Sequence, residues 1–170
     1  MYTITEIEDA IIAYLKSSTV GEYCKKIDSF QIESGDIEEQ IKLFALQMPC
    51  ALIVFSEGAI TRFPGKRIEM EMRFQILLAA ESLRGKGASR RGAAGSTGTY
   101  KMIYDLVFGA SALTGQRLGL NINPIFPTRI AAEINAKGFS AYSVEFETKI
   151  ASTYPSEWGL GEGYLGGQKI

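Results

Sequence analysis

Two pairs of glutamates stand at alternate positions, Glu69 with Glu71 and Glu145 with Glu147. On extended chain the side-chain period is two, so each pair projects from one face. If the two segments are neighbouring strands, four carboxylates share a polar surface. That arrangement serves general acid–base chemistry or a divalent cation, and a small carboxylate-dependent hydrolase or nuclease follows as one reading. The same spacing also describes a solvated sheet face balanced by Arg67, Arg73 and Lys149. A third reading is a negative wall past which a polyanion slides without sticking.

Other chemistry is excluded more firmly. The 170 residues contain no histidine, which removes Ser-His-Asp and Cys-His catalysis and every imidazole ligand. Neither Gly65-Lys66 nor Gly85-Lys86 has a glycine five positions earlier or a following Ser or Thr, so no phosphate-cradling loop of the Walker type exists. Gly161-Glu162-Gly163-Tyr164-Leu165-Gly166 has dinucleotide-loop spacing but no strand before it and no room for a helix after it. No catalytic residue, metal ligand set or cofactor is assigned. The two cysteines, Cys24 and Cys50, form no CxxC pattern. They read as buried thiols in a reducing compartment, with one disulfide as the alternative.

Two segments look built for contact. Residues 84–98 hold Arg84, Lys86, Arg90 and Arg91 with no acid and no large apolar residue, and they read as a flexible basic loop. Such a loop binds phosphates or orders on a protein partner, although it lacks aromatics for stacking on bases. Residues 154–170 hold five glycines with Tyr154, Trp158 and Tyr164, an extended arm whose aromatics suit docking.

The elements that would position these residues follow from periodicity. Ile4, Ile7, Ile11, Tyr14 and Leu15 predict a helix over 3–16, with Thr5 and Glu8 as a capping box, Thr3 as the rival start and Val20-Gly21 as the stop. A strand is expected within 24–32 and a helix from Asp36 to Pro49. Cys50 to Phe55 is an apolar run suited to a strand buried on both faces, with a bend or bulge at 56–58 and a continuation through Ile60–Phe63 to the Pro64-Gly65 turn. Residues 67–78 alternate without a break, and so do Tyr142 to Ile150, predicting two long half-buried strands. A helix over 98–113, started by Ser96 or Thr97, is apolar nearly all round; Tyr100, Tyr104 and Phe108 mark it for burial on a second face by a neighbouring subunit. Short strands are expected at 118–122 and 130–134, separated by a break at Pro124 and Pro127, with a turn at 135–138.

The fold class is α+β: a mostly antiparallel sheet of five or six strands with about three helices and a long projecting hairpin. Residues 1–153 form one domain and 154–170 the arm. The net charge of −1 argues against a dedicated duplex-DNA binder. No apolar stretch approaches the length of a membrane span, and acidic residues occupy the N-terminal region, so a soluble intracellular protein is expected, with no membrane partner.

The order of these features resembles a family of Mu-like phage proteins encoded between the head genes and the tail-sheath gene. The resemblance runs over about residues 3–151. It is carried by the helix Ile4 to Leu15, the run Pro49 to Gly58, the strand Met70 to Leu78, the basic Arg90-Arg91-Gly92, the helix Tyr100 to Val107 and the strand Tyr142 to Ile150. It implies a structural virion protein and not an enzyme: a tail terminator at the tail–neck junction of a contractile-tailed phage or tailocin, or alternatively a head–tail connector. The implied partners are further copies in a homohexameric ring, the tail tube and sheath, a neck protein and passing DNA. The residues that fit such a ring are Arg84, Lys86, Arg90, Arg91, Tyr100, Tyr104 and Phe108 as interface residues, Glu69, Glu71, Glu145 and Glu147 facing a lumen, and Tyr154, Trp158 and Tyr164 of the arm, which lies outside the resemblance and is read as an interface from its own aromatics. Assembly would take place in the host cytoplasm.

Overall fold

The computed structural model describes residues 2–30, 47–65, 67–82, 84, 87–109, 122–136, 138–153, 164–165 and 168–169. The helix expected at 36–49, apart from its last three residues, lies outside them, as do the strand expected at 118–122, apart from Ile122, and Lys86, Tyr154 and Trp158.

The first helix, α1 (Ile4–Ser17), starts at the rival cap. Thr3 accepts the Glu6 amide at 3.1 Å, and the Glu6 carboxylate accepts the Thr3 amide at 2.6 Å, a reciprocal capping box. Ile7, Ile11 and Leu15 are buried along one stripe. Val20 and Gly21 do not stop α1. The chain turns at Ser18, whose hydroxyl donates to the Leu15 carbonyl at 2.8 Å, and both residues lie within α2 (Thr19–Tyr23). Val20 is buried, so its burial extends the helical segment past the glycine.

The main sheet has five strands in the order β1-β2-β3-β5-β4. These are β1 (Lys26–Ser29), β2 (Cys50–Phe63), β3 (Arg67–Glu81), β4 (Phe126–Ala136) and β5 (Phe139–Thr153). Only β1–β2 is parallel; β2–β3, β3–β5 and β5–β4 are antiparallel. The register of β2 on β3 slips between Phe55 and Glu57, the bulge expected at 56–58. Pro127 does not break the chain. It lies inside β4, next to a register slip, on an edge strand where a missing amide donor leaves no ladder bond unmade.

Helices cover one face. Met72, Phe74, Ile76, Leu78 and Ala80 of β3 pack with Ile7, Ile11 and Leu15, with Met102 and Leu106, and with Val144 and Phe146 of β5. On the other face Met48, Cys50, Leu52, Leu77, Ala79, Phe139 and Ala141 form a second cluster. Cys50 to Ile53 are fully buried, as expected of a central strand.

The segment read as a loop is folded. Gly87, at φ +86°, leads into the short helix α3 (Ala88–Arg91), and Gly92, at φ +82°, ends it. Ala93 and Ser96 form a bridge, and Ala88 and Ser89 are buried. A Cβ at Gly98 would run into the Arg90 carbonyl and the Gly92 amide nitrogen. The small residues that resemble a linker are what allow the backbone to close on itself. Helix α4 (Thr99–Gly109) follows, starting after Ser96 and Thr97, and buries Thr99, Met102 and Leu106. Within the arm, β6 (Tyr164–Leu165) pairs antiparallel with β7 (Gln168–Lys169).

Candidate functional site

The polar face of the long strands brings the four glutamates together as the sequence pattern requires, but each meets a cation. The β3–β5 register sets Glu71 opposite Lys149, and Arg73 opposite Glu147. Lys149 Nζ lies 2.8 Å from the Glu71 carboxylate and 3.4 Å from that of Glu69. Arg73 reaches Glu147 at 2.6 Å on one side and pairs with Glu57 on the other. Arg67 pairs with Glu69, and Arg129 approaches Glu145 at 3.6 Å. The hydrogen bond from Lys149 holds the Glu71 carboxyl below its usual range, and the same contact raises the Lys149 ammonium. Glu147 likewise raises the Arg73 guanidinium.

The expected acidic face is therefore an ion-pair ladder, with Glu57, Glu69, Glu71, Glu145 and Glu147 set against Arg67, Arg73, Arg129 and Lys149. No carboxylate cluster for a metal occurs among the described residues. A groove of about 600 Å³ overlies the ladder beside the bulge, lined by Glu57, Arg73, Glu147 and Lys149 with Asn123 and Phe126. Its cations are held by carboxylates, so it offers no open charge to an anion.

The basic segment behaves in the opposite way. Arg84 donates to the Ala94 carbonyl, which ties the corner together. Arg90 and Arg91 occupy the last turn of α3, Arg91 exposed, and no carboxylate among the described residues pairs with either.

Helix α4 supplies the third surface. Tyr100, Tyr104 and Phe108 recur every four residues on its outer side at 45%, 63% and 66% exposure. The Tyr104 and Phe108 rings lie 4.8 Å apart, and Tyr100 meets Tyr142 edge-on at 5.8 Å. The helix buries one face within the chain and leaves this aromatic side outward. Tyr164 lies on β6, apart in sequence from all of these. Exposed Ile60, Phe63, Phe126 and Ile130 add apolar surface on the strands that sequence patterning did not single out. Their alternation was visible, but which face stays uncovered depends on where the helices pack.

Comparison with known families bears on this surface. The profile of the bacteriophage Mu Gp37 family matches residues 3–151, most of the chain. The chain belongs to that family. The match covers the described sheet, α1 to α4 and all three surfaces above. It makes this Gp37-family chain a Mu-like phage protein, and the family suggests a structural, virion-associated part for it. The chain matches no curated protein. No described helix is long and apolar enough to cross a membrane.

Proposed function

We propose that this Gp37-family chain is a tail terminator: a structural virion protein that caps the tail tube or sheath at the tail–neck junction and acts as a ring of identical subunits. The observation that carries the reading is the exposed aromatic side of α4, with Tyr100, Tyr104 and Phe108 outward on a helix that already packs on the sheet by Met102 and Leu106. Clustered apolar surface of this kind marks a protein contact. The ion-pair ladder supports the same reading, because a face whose cations are all held by carboxylates, five acids to four bases, does not grip a polyanion passing along it. Arg90 and Arg91, which pair with no carboxylate among the described residues, suit a carboxylate-bearing surface on the tube, sheath or neck protein.

Light scattering on the purified protein tests the ring, and cryo-electron microscopy of particles tests its position. A ring at the neck end of the tube, on the tail side of the junction, supports the terminator. A ring against the portal identifies a head–tail connector, and a monomer absent from particles overturns both. Catalysis is no part of the proposal. A metal-dependent cleavage assay that turned over DNA, and lost activity when Glu69, Glu71, Glu145 and Glu147 became glutamine, would replace it with a nuclease.

A further inference from the structure

The groove over the ion-pair ladder has a sign. Its lining holds three carboxylates, Glu57, Glu71 and Glu147, against two cations, Arg73 and Lys149. The carboxylates also stand further out. Glu57 and Glu71 side chains are 61% and 63% exposed, against 39% for Arg73 and 40% for Lys149. The exposed Phe126 ring lines the same cavity of about 600 Å³. Outward carboxylates beside an aromatic face suit a guanidinium, which pairs with the first and stacks on the second.

The chain carries such groups elsewhere. Arg90 and Arg91 end α3, and neither pairs with a carboxylate among the described residues. They cannot reach the groove of their own chain. The basic corner closes onto Gly98, and the next residue, Thr99, meets Ser140 at 3.0 Å. Ser140 pairs with Ala80 at the inner end of the β3–β5 ladder, beside Glu81↔Phe139, on the face that packs against the helices. The groove lies toward the outer end, near Arg67↔Thr153, on the opposite face, which Glu71, Arg73, Glu147 and Lys149 share. From Ser140 to Glu147 is seven residues of strand, about 23 Å.

We propose that the Arg90–Arg91 corner of one copy docks in the acidic groove of the next, with the exposed Arg91 entering beside Glu57. The proposal rests on the ring reading above and makes the carboxylate-bearing partner of the corner a second copy of this chain. Charge complementarity selects that occupant: the chain offers a concave site with a carboxylate in excess and a second site with two guanidiniums. Their placement at opposite ends and on opposite faces of one sheet lets them meet only between molecules. Each copy then gives one half of the joint and receives the other, and such a head-to-tail series forms a ring where the rotation closes. The corner is already held in shape, because Arg84 donates to the Ala94 carbonyl and positive-φ glycines at 87 and 92 frame α3. Little order remains to be lost on docking.

Charge exchange on the full chain tests the joint by light scattering. Arg91→Glu and Glu57→Arg should each weaken self-association at least about tenfold. Both side chains are exposed, so thermal unfolding should keep its wild-type midpoint. The double variant Arg91→Glu/Glu57→Arg should associate like the wild type, and so should an equimolar mixture of the two single variants. Arg91→Ala and Glu57→Gln, milder changes at the same sites, should weaken association about threefold and keep the test open where a reversal disturbs folding. Added salt should weaken the wild-type oligomer as well. Single variants that associate like the wild type overturn the joint, as does a loss that neither the double variant nor the mixture restores; in both cases a persisting wild-type oligomer leaves the ring reading standing. An Arg91→Glu variant that self-associates normally yet fails to enter particles gives the corner to a foreign tail or neck protein and overturns the joint too. A wild-type protein that stays monomeric at every concentration sinks the ring reading itself.

Discussion

The inner and outer ends of the sheet obey different physics although β3 runs through both. At the inner end Leu77 to Ala80 are buried on both faces, under the helices on one side and against Cys50, Leu52 and Phe139 on the other. At the outer end Arg67 to Arg73 alternate, with charges on one face and Ile68, Met70 and Met72 on the other, and β2 is exposed from Ser56 to Phe63. Stability is concentrated inside, where dispersion and apolar transfer act without competition from water. The outer end, with β2 exposed from Ser56 to Phe63, contributes less to the stability of the chain. Stability and surface chemistry are thus carried by separate parts of the same strands.

Substitutions that break this contrast range from large to small. Phe74→Ala, at a fully buried ring that meets Phe55 edge-on at 5.5 Å, should cost about 3–5 kcal/mol in urea unfolding. Gly98→Ala should cost about 1–3 kcal/mol, because the new methyl meets backbone and not a movable side chain. It should also loosen the corner that holds Arg90 and Arg91, read as faster amide exchange at Ala93 and Ser96. A loss at Gly98 as small as at a surface site would mean that the basic segment is the pliable loop its composition resembles.

Acid titration separates the ends further. The Glu71 carboxyl is depressed in the folded chain, so its stabilising share is complete above the usual value of 4.5 and disappears as pH falls through the lower folded value. Lys149 is raised, so its share is present below the usual 10.5 and fades only as pH climbs through the higher folded value. Thermal unfolding should therefore vary little with pH near neutrality and fall below about pH 4.5. Lys149→Met should flatten that acid limb, and a limb unchanged by the substitution would detach it from the ladder. Burial pushes the Cys50 thiol up to about 11 and the Cys24 thiol up to about 12. Neither should react with Ellman's reagent at pH 8 until the chain unfolds. The smallest effect belongs to Ile60→Ala, within about 0.5 kcal/mol for the isolated subunit.

Much of the sheet was legible in the chain itself. The uninterrupted alternation from Arg67 to Leu78 and from Tyr142 to Ile150 could only be strand, and the run Cys50 to Phe55 could only be buried. Local rules failed where two local solutions compete. Thr3-Glu6 and Thr5-Glu8 both have capping-box spacing; Thr3 is the cap observed, and the earlier start takes in Ile4, which packs against the core. Composition misled at 84–98, since glycine and alanine describe a flexible chain and a tightly closed one equally well until contacts are known.

Glutamate spacing was likewise fixed by the sequence, but its chemistry was not. The period of two guaranteed that Glu69 and Glu71 share a face, and so do Glu145 and Glu147. Whether that face is a carboxylate cluster or an ion-pair ladder depends on a single register between strands some seventy residues apart, and the observed one sets Lys149 against Glu71 and Glu147 against Arg73. A shift of two residues would keep every side chain on its face and change every partner. Side-chain alternation is a property of the local backbone and can be read from the chain. Cross-strand partners and exposed apolar side chains are products of long-range packing, so only the tertiary structure could decide them.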